Sequence, residues 1–192
     1  MSAPLLLASG SPRRREILRA LGLPFEVHVV EIDERPLPGE EPRAYVSRVA
    51  RDKRVAARAA RPSGAILAAD TTVTLDGAVL GKPTDDADAC TMLARLAGRA
   101  HQVLTAISIE FDGRAHDEVV ATEVVFAPLD RPTIERYVAT GEGRDKAGSY
   151  AIQGIGGGFV ARIAGSYSNV VGLPAHETVS ALVRLGAVRG WP

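Results

Sequence analysis

Hydrophobic and polar positions in this chain fall into short blocks whose period changes from one block to the next. Leu5-Leu6-Leu7 is too brief for a helix and is bounded at once by breakers, so it predicts a buried strand. Ser9-Gly10-Ser11 follows as a turn. Ser11 then stands as an N-cap and Pro12 at the first helical position, where its missing N–H has no helical partner to lose. Ile17, Leu18 and Leu21 give that helix an apolar face, and Gly22 stops it. Residues 25–30 alternate as a half-buried strand with His28 facing outward, and Glu31-Ile32-Asp33-Glu34 makes an acidic exit. Residues 43–60 read as a helix that buries Tyr45, Val46, Val49 and Ala50, with Lys53 one turn on; Pro62-Ser63-Gly64 breaks it.

Ala65-Ile66-Leu67-Ala68-Ala69 is apolar throughout, which implies cover on both faces and a central place in a sheet. It is expected to terminate at Asp70-Thr71-Thr72. A carboxylate at the end of a buried strand is costly as mere solvation, so Asp70 is a candidate for chemistry. A hairpin through Asp76-Gly77 comes next, and its far arm delivers Gly81-Lys82-Pro83-Thr84-Asp85. Thr84 or Asp85 caps a helix with Met92, Leu93 and Leu96 inward, ending near Gly98. Strands are predicted over 101–109 and 119–126, joined through Asp112-Gly113, and a helix from Asp130 to Gly141. A polar, glycine-rich stretch over 141–154 leads into a strand over 159–163 and a second loop over 165–174. Pro174 then opens a last helix that ends near Gly186. Long glycine-rich loops between dense apolar segments point to function. Helices, hairpins and a few crossovers together predict an α/β fold with a mixed, strongly twisted β-sheet flanked by helices. With no repeat, linker or low-complexity segment, one domain over 1–192 is expected.

The turn after the first strand carries chemistry of its own. A helix start exposes backbone N–H groups and the positive end of the helix dipole, and here it adds the hydroxyls of Ser9 and Ser11 and the guanidinium forks of Arg13 and Arg14. That is an anion corner. The Walker pattern is absent, so it is not a P-loop, and Gly154-Ile155-Gly156-Gly157-Gly158 does not match the dinucleotide fingerprint.

Composition narrows the classes. The formal net charge is +0, so no general pull toward nucleic acid or a membrane surface is expected. The single cysteine, Cys90, excludes an internal disulfide, fits a reducing compartment and reads as a packed thiol. The opening apolar run is shorter than a signal peptide's and nothing approaches the ~20 apolar residues of a membrane span, so a cytoplasmic protein is expected. Of 23 basic residues only three are lysine, namely Lys53, Lys82 and Lys146. All three stand beside polar landmarks. With acids at Glu34 and Asp70 and neutral polar groups at Thr71 and Gln153, the set suits a polyphosphate with Mg²⁺, which binds through one or two carboxylates plus substrate phosphates.

Ala8-Ser9-Gly10-Ser11-Pro12-Arg13-Arg14, Glu34, Lys53, Ala69-Asp70-Thr71, Gly81-Lys82-Pro83, Asp145-Lys146-Ala147-Gly148-Ser149-Tyr150-Ala151-Ile152-Gln153-Gly154 and Gly165-Ser166-Tyr167 with Gly172-Leu173-Pro174 resemble, in order, the motifs of the Maf family of nucleotide pyrophosphatases. The resemblance implies a Maf/ITPase-like fold and hydrolysis of a nucleoside triphosphate to the monophosphate and pyrophosphate. It implies Asp70 as general base, with Lys53 and Lys82 as catalytic partners and Glu34 and Asp70 as ligands of Mg²⁺ or Mn²⁺. Ser9, Ser11, Arg14 and Lys146 are implied to bind substrate. The selectivity positions fall on Arg13, Thr71 and Gln153, a trio similar to the dTTP/UTP branch; Thr72 departs from the aliphatic residue common in relatives. Arrest of septum formation, a homodimer and modified pyrimidine nucleotides are further implications. A nucleotide-sensing regulator of division that does not catalyse, and an ITPase-type enzyme preferring purines, are the competing readings.

Overall fold

The computed structural model describes residues 4–192. Strands β1 (Leu5–Leu7), β2 (Phe25–Val27), β3 (Ile66–Leu75), β4 (Ala78–Leu80), β5 (Ala100–Phe111), β6 (Arg114–Phe126) and β7 (Val160–Ala164) form one sheet in the order β2-β1-β3-β5-β6-β7, with β4 alongside β3. β1 runs parallel to β2 and to β3, whereas the β3–β4 and β6–β7 pairs are antiparallel. The sheet is mixed, as the pattern of hairpins and crossovers predicts. Helices are α1 (Pro12–Ala20), α2 (Pro42–Ala60), α3 (Asp86–Leu96), α4 (Arg131–Ala139), α5 (Tyr167–Val171) and α6 (Ala175–Leu185). Among the described residues no helix is long and apolar enough to cross a membrane.

The chain divides into two compact units. The first comprises the described residues up to Asp70 together with Thr105–Val120 and Gly172–Pro192. Strand alternation sorts its core into two layers. Leu5, Leu7, Leu67, Ala69, Ile107 and Ile109 pack with Leu18 of α1 and Leu182 of α6. Leu6, Ala8, Ile66 and Ala68 point the other way and pack with Ala57 of α2. The charged side of α2 is not simply solvated, because Arg54 and Arg58 both pair with Glu110 on β5.

The second unit takes Thr71–Leu104 and Ala121–Val171. Val73, Leu75, Val103, Val124 and Phe126 from its strands close on Leu93 and Leu96 of α3 and Ile134 and Tyr137 of α4. Asp85 caps α3 by accepting from the Asp88 N–H at 2.8 Å, and Asp130 caps α4 from the Thr133 N–H at 2.9 Å, both as their sequence positions suggest. Cys90 packs against the same core.

Four local expectations change. β3 does not stop at Asp70 but continues to Leu75, since Thr71, Thr72, Val73 and Thr74 are β-branched and the carboxylate is neutralised inside the fold. β2 ends at Val27, three residues early, although the His28 N–H adds one more bond to the Leu7 carbonyl. β6 begins at Arg114, well before 119, because a two-residue turn at Asp112-Gly113 with both φ positive feeds a polar strand arm straight into the sheet. Within 165–174 lies the extra helix α5.

Candidate active site

The candidate residues of the first unit meet at the carboxyl end of β1 and the middle of β3. Pro12 starts α1 with Ser11 at the N-cap, but the Ser11 side chain makes no capping bond. Ser9 supplies the oxygen instead: its Oγ accepts from the Ser11 N–H at 3.2 Å. The same Oγ accepts from Arg14 Nη1 at 3.0 Å, and Arg14 Nε donates to the Gly172 carbonyl at 2.8 Å. Arg14 is therefore folded inward at 8% exposure, where burial lowers its pKa, Asp70 opposes that and neighbouring Arg13 adds to it. Arg13, one residue earlier on the helix, stays half-buried. The two guanidiniums thus differ in kind: Arg14 shapes the turn, and Arg13 is the more open of the pair.

Asp70 falls on the α2-facing side of β3, in step with Ile66 and Ala68. On α2, Lys53 is four residues before Ala57, which covers those two residues, so both share one helix face. The register brings Lys53 Nζ to 2.8 Å from Asp70 Oδ1 and to 2.9 Å from Glu34 Oε1. One ammonium holds two carboxylates from distant parts of the chain. Asp70 and Lys53 are buried, while the Glu34 side chain, on the irregular segment after β2, is 49% exposed. Tyr45, two turns before Lys53 on α2, belongs to the same field: burial first, then the charges of Asp70 and Glu34, push its hydroxyl up to about 12. Its helical spacing marks it as core, so sequence reasoning gives it no role.

Among the described residues no cluster of three or more His, Cys, Asp or Glu side chains is placed to hold a metal. Glu34 and Asp70 offer two carboxylates converging on one cationic point. That donor set fits Mg²⁺ or Mn²⁺ bound jointly with substrate phosphates, and does not fit an all-protein cage.

The second unit carries Thr71, Lys82, Lys146 and Gln153. Lys82 leaves the end of β4 exposed, and the carbonyl of Gly81 beside it accepts from the Gly148 N–H at 3.0 Å. That bond ties the Lys82 segment to the turn after Lys146, whose ammonium pairs with the adjacent Asp145. Thr71 is half-buried on β3, directly after Asp70. Gln153 is exposed on the loop between Tyr150 and β7.

The family model described as Maf-like protein matches residues 4–185. A protein of Anaeromyxobacter dehalogenans named dTTP/UTP pyrophosphatase is 54% identical over 195 residues, covering 100% of this chain and 98% of its own length. Proteins of the same name from Alcanivorax borkumensis and Vibrio cholerae serotype O1 are 49% and 51% identical, covering 93% and 91% of this chain and 93% and 94% of their own lengths. Among solved structures, the Staphylococcus aureus Ham1 protein matches with a TM-score of 0.46 and 17% identity, over 65% of this chain and 72% of that one.

Proposed function

The chain belongs to the Maf family, and we propose that it is a nucleotide pyrophosphatase that hydrolyses dTTP and UTP to the monophosphate and pyrophosphate. The observation that carries the chemistry is the buried Asp70 carboxylate held by Lys53. In the proposed reaction a water oxygen bonds to the α-phosphorus, the bond from that phosphorus to the bridging oxygen breaks, and pyrophosphate leaves. Asp70 orients the water and accepts its proton, a role worth about 10²–10⁴-fold. Lys53 fixes the carboxylate in place between turnovers. Glu34 and Asp70 would hold Mg²⁺ or Mn²⁺, which when bound neutralises phosphate charge and polarises the phosphorus–oxygen bonds. In the first unit the α1 start and Arg13 bind phosphate oxygens, with Ser9 and Ser11 presented by the turn that Arg14 braces. From the family resemblance, charge neutralisation is assigned to Lys82 and Lys146 and recognition of the base to Thr71 and Gln153. The Gln153 amide offers both a donor and an acceptor, which suits the N3–H and carbonyl edge of uracil and thymine and is indifferent to the 5-methyl group.

Residues 1–192 then act as one catalytic domain in the cytoplasm, and the family resemblance adds a homodimer and a part in septum formation, with modified pyrimidine nucleotides as further substrates. The reading is tested by measuring pyrophosphate release from dTTP, UTP, CTP, ITP and 7-methyl-GTP with Mg²⁺. Preference for dTTP and UTP supports it. A purine preference replaces the base assignment, and tight binding without turnover removes the enzyme.

A further inference from the structure

Beyond the residues already placed, one carboxylate of the second unit is bonded more fully than any solvent-facing role requires. Glu142 follows α4 at the start of the glycine-rich stretch. Its Oε1 accepts from the Tyr137 hydroxyl at 3.0 Å and from the Gly156 N–H at 2.9 Å, and its Oε2 accepts from the Ile155 N–H at 2.9 Å. Tyr137 Oη in turn accepts from the Ala151 N–H at 3.2 Å. Two side chains at the end of one helix therefore hold three backbone N–H groups of the segment 151–156, and Gln153 sits between the held points.

The backbone is shaped for this grip. A Cβ on Gly154 would lie 2.1 Å from Glu142 Oε2, and a Cβ on Gly156 would lie 2.8 Å from the Tyr137 hydroxyl. Only glycine lets the loop come so close to the carboxylate. Burial works against the charge on Glu142, but the bonds from Gly156, Ile155 and Tyr137 outweigh it and hold the carboxyl below its usual value. The carboxylate is ionised and acts only as an acceptor, as three N–H and O–H donors demand.

We propose that Glu142, with Tyr137 behind it, is the positioning residue that fixes the Gln153 loop and so sets the discrimination between bases. The inference rests on the reading of Gln153 as the base-recognising side chain. Glu142 does not touch the reacting phosphates; it acts through the backbone of the loop. An exposed glutamine on a glycine-rich loop has many conformations to lose, and a loop pinned on both sides of it loses fewer on binding.

The test uses the full chain with Mg²⁺ and compares dTTP with CTP. Glu142→Gln replaces one acceptor oxygen by an NH₂ group facing donors, and Tyr137→Phe removes a single hydroxyl while keeping the packed ring. Both variants are expected to lower the dTTP:CTP ratio of kcat/KM by roughly tenfold, through KM for dTTP with kcat held within about twofold. Amide exchange over 151–157 is expected to quicken by at least about tenfold. In a Gln153→Ala background, Glu142→Gln should change the ratio no further. An unchanged ratio in both folded variants, while Gln153→Ala alone collapses it, overturns the inference and leaves the base reading standing. An equal loss on dTTP and CTP overturns it too, since a general scaffold would behave so. If Gln153→Ala itself leaves the ratio intact, the base reading fails and takes the inference with it.

Discussion

Lys53 Nζ and Asp70 Oδ1 lie 2.8 Å apart with both side chains 11% exposed, and the pair joins a helix to the middle of a buried strand. An ion pair at this depth contributes little net stability as a pair, because each charge is first stripped of water. Removing one partner is another matter, since it strands the other charge. Lys53→Met is expected to destabilise the protein by about 3 kcal/mol in denaturant unfolding. The double variant Lys53→Met/Asp70→Asn should recover most of that loss. Glu34→Gln, on a half-exposed carboxylate, should cost under about 1 kcal/mol. A Lys53→Met protein as stable as the parent would show that the pair is not formed.

Arg14 is another charged side chain that the fold has taken in. Its Nε and Nη1 reach two different acceptors, the Gly172 carbonyl and Ser9 Oγ. A lysine there has one compact head and cannot span both. Arg14→Lys is expected to lower stability by about 1–3 kcal/mol and Ser9→Ala by about 1 kcal/mol, read from unfolding midpoints at constant m-value. Equal stability of Arg14→Lys and the parent would mean that the guanidinium braces nothing.

His101 gives the second unit a pH dependence of its own. Its Nε2 lies 2.9 Å from the Tyr150 hydroxyl and its ring meets Phe126 and Tyr150 edge-on. Burial lowers its pKa from 6.5 to about 4. Between those values the unfolded chain takes up a proton that the folded protein refuses. Stability should therefore be fully present above pH 6.5 and fall by about 3 kcal/mol as pH drops toward 4. His101→Phe, measured alongside the parent over the same range, should lack this component and retain only the slope of the carboxylates. Identical slopes would remove His101 as the cause.

Much of the architecture was legible because its signals were local. The apolar runs at 5–7 and 65–69, the hairpin at Asp76-Gly77 and the caps at Asp85 and Asp130 each depend on a few neighbouring residues. What stayed hidden depends on partners distant in sequence. The continuation of β3 through Asp70 needs Lys53 to neutralise the carboxylate, 17 positions away in the chain. That Arg14 turns inward, unlike Arg13, follows from the Gly172 carbonyl, which no periodicity locates. Glu142 showed no signal beyond an acid beside two glycines, since its importance lies in backbone N–H groups that every residue but proline possesses. The lysine scarcity was the better clue: it singled out Lys53, which the fold then set between two acids.

The most direct measurement is pyrophosphate release from dTTP with Mg²⁺ by Asp70→Asn, with nucleotide affinity measured in parallel. The amide keeps the size and the hydrogen-bond reach of the side chain but gives up its basicity. Turnover should fall by about 10²–10⁴-fold or more while dTTP still binds. Undiminished pyrophosphate release by Asp70→Asn would contradict the account at its centre.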